Sequence, residues 1–215
     1  MTHLLLLSIL LLLPSPLWAA IAEDAISSSA SGTVTGTTHN HTFGASATLA
    51  IVGRCVRDIS GAVAIDASPP TINGVAMDHL VGLTPSGNVV RPDIYYMKNP
   101  PTGVQEVVTF PNAAVDRHVT MVISFTGAEE TTTFNTTDNA QATSTADYVD
   151  GIPSAVGELA VMVICHRTGT SFTAEATAPV SLERIDLQDS AGGSNGCTGG
   201  LYTEAGDTTS INMRV

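Results

Sequence analysis

Beyond about residue 23 the apolar positions of the chain recur with the period of strands. Thr48–Val56, Val89–Met97, Val104–Phe110, His118–Phe125 and Glu158–Cys165 are each short, rich in Val, Ile, Thr or aromatic residues, and bounded by Gly, Pro, Asn or Asp. No long amphipathic helical pattern separates them, so the spacing predicts a sandwich or barrel rather than βαβ units. Pro70-Thr-Ile-Asn73-Gly74-Val-Ala-Met77 predicts a hairpin, because Asn and Gly both tolerate the positive φ of a two-residue turn. The polar stretches Ser27–Asn40, Glu129–Asp150 and Asp189–Gly200 read as long loops or weakly paired edges. No linker or internal repeat divides the chain. The pattern therefore predicts an all-β protein, a single antiparallel β-sandwich of jelly-roll or Ig-like kind, over residues 23–215.

The amino-terminal segment has another pattern. Leu4–Leu13 is a run of Leu and Ile with one Ser, followed by Pro14 and Pro16 and then by small residues at Ala19, Ala20 and Ala22. Such a run falls short of the roughly 20 apolar residues that cross a bilayer, but it suits the apolar region of a secretory signal. Residues 1–22 are read as a signal peptide, although its start carries His3 and neither Lys nor Arg. Cleavage is expected between Ala20 and Glu23, or after Ala19. No later stretch is long and apolar enough to span, so the mature form is expected to be secreted, in the extracellular space or at the cell surface, with no membrane contact. Trp18, the only Trp, leaves with the signal.

Composition sharpens this. At 215 residues and 43% apolar content, the chain can bury the core of one ordinary domain. Thr and Ser are abundant beside 19 Gly and 11 Pro, a bias away from helix formers. Twenty acidic residues against 8 basic ones give a net charge of -12. That charge argues against nucleic acid or an anionic membrane as a partner, since binding either requires a basic face.

Several pieces in order carry a likeness: Leu49-Ala-Ile-Val-Gly53, the Asn73-Gly74 hairpin, Ile94-Tyr-Tyr-Met97 with Pro100-Pro101-Thr-Gly103, Val107-Val-Thr-Phe110, Val122-Ile-Ser-Phe-Thr-Gly127 and Gly157-Glu-Leu-Ala-Val161. Together the chain resembles a family of small secreted β-sandwich domains of bacterial extracellular and surface proteins. The resemblance implies the fold and an extracellular setting. It implies no enzymatic activity and no catalytic residues.

The chemistry-bearing residues are few. Three cysteines allow one internal bridge. Cys55 and Cys165 both end apolar strands and are the expected pair, with Cys197, in a Gly-rich stretch, as a rival partner for Cys165; reduced, buried cysteines are the other reading. No Cys-x-x-Cys is present to hold zinc. His39 and His41, two apart, would project from one face of a strand and are the candidate metal ligands; no third ligand is visible, so no metal is assigned. Tyr95 and Tyr96 are candidate binding aromatics, alternating across one strand. Glu129-Glu130 and the pair Asp186 and Asp189 read as solvated loop charges rather than the flanking carboxylates of a glycosidase. Asp138-Asn139, Asp147–Asp150 and Asp186–Asp189 could offer oxygens to calcium, the one cofactor considered, but none has the spacing of an EF-hand. Asn40-His-Thr42 and Asn135-Thr-Thr137 are glycosylation sequons. No Gly-x-Ser-x-Gly elbow is present.

Two functions follow as expectations. One is a non-catalytic secreted β-sandwich acting as a surface, matrix, adhesion or assembly component, whose partner is an extracellular glycan or protein or another copy of itself. The other is a glycan-binding or glycan-cleaving extracellular module. A cleft with two carboxylates or a Tyr platform would mark the second.

Overall fold

A computed structural model of the chain describes residues 21–31, 37–57, 69–82, 90–109, 117–128, 134, 149–153, 157–166, 182–188, 197–205 and 210–214. These residues form fourteen strands, in antiparallel sheets, and no helix. The largest sheet holds β1 (Ala22–Ser31), β9 (Arg117–Thr126), β3 (Ala47–Arg57), β7 (Val90–Lys98) and β6 (Asp78–Gly82), side by side in that order. A four-stranded sheet runs β2 (Thr37–Phe43), β8 (Gly103–Thr109), β4 (Thr71–Ile72), β5 (Val75–Ala76). A three-stranded sheet runs β11 (Leu159–His166), β13 (Thr198–Ala205), β12 (Leu182–Gln188), and β10 (Val149–Pro153) pairs with β14 (Ser210–Arg214).

The five strands expected from periodicity are β3, β7, β8, β9 and β11, each within two residues of the expected bounds. The Asn73-Gly74 hairpin joins β4 and β5, with φ of 49° at Asn73 and 78° at Gly74. Of the two readings of Ser27–Asn40, its ends take that of sheet edges. Its ends lie in β1 and β2, the edge strands of their sheets, where Ser27 and Ser29 meet His41 and His39 rather than an apolar core. Thr198–Gly200 likewise opens β13, and Val149-Asp150 opens β10.

The central sheet is covered on both faces. All residues from Ala50 to Arg57 in β3 and from His118 to Phe125 in β9 are buried. Successive strand residues point to opposite faces, so each strand serves two cores. One gathers Ala50, Val52, Tyr95, Met97 and Val122 with Phe43, Ile72 and Val107 of the four-stranded sheet. The other gathers Ile51, Cys55, Val119, Met121, Ile123 and Phe125 with Leu201 of β13, and Val163 of β11 packs against it. Burying each large side chain contributes about 1.5–3 kcal/mol, so strands loaded on both faces anchor the structure.

Cys55 and Cys165 form a disulfide between β3 and β11, with Cα atoms 5.5 Å apart. The bridge joins the central sheet to the three-stranded one. Gly199 of β13 lies opposite Cys165, and a Cβ there would meet Cys55 Sγ at 3.1 Å and Val119 Cγ1 at 2.8 Å. The missing side chain is what lets the layers approach at the bridge. Cys197, the rival partner, lies outside the bridge, buried in the same core.

Candidate functional site

The polar side chains with defined chemistry collect on one face of the central sheet, the face toward the four-stranded sheet. Register explains why. Arg54 on β3 lies opposite Asp93 on β7 and Thr120 on β9; one row on, Val56 lies opposite Arg91 and His118. Alternation sends Arg54, Arg91, Asp93, His118 and Thr120 to the same side.

Asp93 organises the first half of this cluster. Its Oδ2 accepts hydrogen bonds from Arg54 Nε at 3.2 Å and Nη2 at 2.7 Å. Its Oδ1 accepts from Arg91 Nε at 3.0 Å and Nη2 at 2.6 Å. Arg54 and Arg91 are 1% exposed and Asp93 is fully buried. Each guanidinium thus directs two donors at one oxygen, a charge-assisted arrangement that offsets part of the cost of burying charge. Tyr95 lies beneath Arg54, whose Cζ is 4.9 Å from the ring centroid. His79 of β6 reaches in from the surface, with Nε2 3.5 Å from Asp93 Oδ1.

Three histidines form the second half. His118 Nε2 pairs with Thr120 Oγ1. Burial first, and then the nearby Arg54 and His39, push the His118 pKa down to about 3. His39 is held below its ordinary value by burial, and its Nδ1 lies 3.4 Å from Ser29 Oγ of β1. His41 sits in a four-member chain. Ser124 Oγ donates to Asp24 Oδ2 at 2.7 Å, so His41 Nε2, 3.2 Å away, must be the donor to Ser124 Oγ. That leaves His41 Nδ1 as acceptor for the Ser27 hydroxyl at 2.7 Å. Burial lowers the His41 pKa to about 4, with His39 adding to the effect and Asp24 opposing it. Asp24 Oδ2 also accepts the Gly44 amide at 2.9 Å, an approach that any Cβ at Gly44 would block, since it would lie 2.1 Å from Asp24 Oδ1.

The chemistry available is therefore mostly internal. A serine hydroxyl donating to a neutral imidazole has the order of a nucleophile and its base, and Ser27 is partly exposed. A base with a pKa near 4, however, draws a proton weakly at neutral pH. As candidate metal ligands, His39 and His41 do share a face of β2, yet they address different serines of β1. Among the described residues, no three His, Cys, Asp or Glu side chains are grouped to hold an ion. Tyr95 is buried beneath Arg54, and Tyr96 points to the opposite core, its ring 4.8 Å from that of Phe134. Asn40 of the first sequon is exposed on β2. Asp186 falls in β12, with its side chain outside the described set. Glu129, Glu130, Asn135, Asp138, Asn139, Asp147 and Asp189 lie outside the described residues, as does the side chain of Asp150.

Sequence reasoning missed Arg54, Arg91, Asp93, His118 and the Asp24–Ser124 pair. The available signal was charge and imidazole at alternating positions inside otherwise apolar strands, as in Arg91-Pro-Asp93-Ile-Tyr95. Comparison with family models, curated proteins and solved structures finds no match to this chain.

Proposed function

We propose that this chain is a secreted, non-catalytic β-sandwich that serves as a surface, matrix, adhesion or assembly component. In this reading the three-stranded and five-stranded sheets are the two layers of the sandwich, and the four-stranded sheet is an added layer. The observation that carries it is the use made of the reactive side chains, which are spent on holding the sheets together, between layers at Cys55 and His41 and within the central sheet at Asp93. Cys55 is bound to Cys165, His41 is held between Ser27 and Ser124, and Asp93 binds two arginines. A disulfide between layers also suits an oxidising compartment outside the cytosol. The acidic surface charge favours solubility and works against adsorption to polyanions.

The test is covalent. The chain, expressed with its leader, is recovered from outside the cell, treated with a fluorophosphonate and analysed by intact and peptide mass. The expected result is a protein lacking residues 1–20, with the Cys55–Cys165 bridge intact and Ser27 unmodified. A fluorophosphonate adduct on Ser27 would instead make Ser27 and His41 a catalytic pair, and retention in the cytosol would remove the secreted setting.

A further inference from the structure

Arginine is costly to bury, and the face of the central sheet toward the four-stranded sheet buries two. Arg54 and Arg91 are each 1% exposed, and the fully buried Asp93 is the carboxylate they share. Two guanidinium charges against one carboxylate leave this group, among the described residues, with an excess of one positive charge. Its field reaches His118, whose pKa is held down by burial first and then by Arg54 and His39. Arg91 also has donors left over. Its Nε and Nη2 both point at Asp93 Oδ1, which occupies one long edge of the guanidinium. Nη1 is buried, and none of the described residues accepts a hydrogen bond from it. Nη1 and the second N–H of Nη2 make up the blunt end of the fork, two parallel donors spaced to meet two oxygens of one anion.

We propose that Arg91 anchors a binding site for a small inorganic oxyanion, sulfate or phosphate, with Arg54 adding to the positive field. A buried donor without a protein acceptor calls for a water or an ion. Water satisfies the donor and leaves the excess charge in place; an anion answers both, which decides between them. The site can be reached from solvent. His79 of β6 is 43% exposed and its Nε2 lies 3.5 Å from Asp93 Oδ1, the oxygen that Arg91 holds, so this side of the cluster is one side chain below the surface. A bound oxyanion balances the charge and stabilises the folded chain as its concentration rises above its Kd. Lysine cannot take the place of Arg91, since an ammonium keeps the charge but lacks the planar fork. The inference goes beyond the function proposed above and does not rest on it.

The test is equilibrium dialysis of the exported protein against radiolabelled sulfate and, separately, radiolabelled phosphate. Each anion is varied from about 10 μM to about 10 mM at an ionic strength held constant with chloride. Saturable uptake at a single site per chain is expected for at least one of the two. Arg91→Lys should weaken that uptake at least about tenfold. Arg117→Lys should bind as the wild type does, because Arg117 is next to His118 in β9 and so lies on the opposite face of the sheet. Should Arg91→Lys fail to fold, side-chain NMR of the arginine-labelled wild type carries the same decision. The bound anion should shift the Arg91 guanidinium resonances and leave those of Arg117 in place. Absence of saturable uptake of either anion would mean that water alone meets Nη1 and would overturn the proposal. So would an Arg91→Lys variant that binds as tightly as the wild type, or resonance shifts at Arg117 without shifts at Arg91.

Discussion

Acid should loosen this protein through its buried histidines, and the size of the effect can be worked out. In the unfolded chain His41 and His118 titrate near 6.5, whereas in the folded state they are held down to about 4 and about 3. The folded state therefore binds fewer protons, and these groups lend their full stability only above pH 6.5, losing it as pH falls toward the folded values. At about pH 5 the unfolded imidazoles are protonated and the folded ones are still neutral. Each then lowers stability by about 1.4 × 1.5, or roughly 2 kcal/mol, a figure that rests on the unfolded value alone. Together they remove about 4 kcal/mol between about pH 7.5 and 5, a large share of the 5–15 kcal/mol typical of a domain. Urea unfolding followed by far-UV circular dichroism at the two pH values measures the difference. Carboxylates also titrate here, so the decisive comparison is with His118→Gln. That variant should lose about 2 kcal/mol of the pH-dependent difference, whatever its own stability. Equal differences in variant and wild type would refute the reasoning.

Three further outcomes follow from single contacts. Asp93→Asn removes the one carboxylate between Arg54 and Arg91, leaves two guanidinium charges buried together, and should cost about 3–5 kcal/mol in urea unfolding. Gly199→Val drives a side chain into Val119, Met121 and the Cys55 sulfur, and should cost about 1–3 kcal/mol, read as a lowered melting temperature. Intact mass of the exported chain should place its first residue at Ile21, because Ile21 packs against the core of Met121 and Leu201 and Ala22 already pairs with Thr126.

The strands legible in the sequence were those with dense Val and Ile, namely β3, β7, β8, β9 and β11. The hairpin was legible because Asn73-Gly74 specifies its turn by local sterics alone. β1 and β2 were legible only as weakly paired edges that could equally be loops, for a physical reason. Their inward residues, Ser27, Ser29, His39 and His41, bond to one another and to Ser124, so the apolar alternation that marks a half-buried strand is missing. The same cause hid the polar cluster. Arg54 and Asp93 look like surface residues in a chain imagined as two layers, and only a third layer over that face makes them buried. The disulfide was legible as a preference from strand position, while its role as a tie between sheets needed the packing.

The two covering layers are thus fastened to the central sheet by different chemistries, and this sets the order in which they should come away. On one face the four-stranded sheet rests partly on His39, His41 and the hydroxyls of Ser27, Ser29 and Ser124, contacts that depend on neutral imidazoles. On the other, the three-stranded sheet is tied by a bond spanning 110 residues of sequence, whose closure is worth up to about 4.7 kcal/mol in the chain-entropy model. Protons act on the first fastening and leave the disulfide untouched; a reductant does the opposite. Hydrogen exchange should therefore rise first in β2 and β8 at about pH 5 under oxidising conditions, with the amides of β11 and β13 still protected. After reduction at about pH 7.5 the order should reverse, with β11 and β13 exchanging before β2 and β8. Loss of protection in all four strands at once under either treatment would mean that the layers open as a single cooperative unit, and that neither fastening acts on its own face alone.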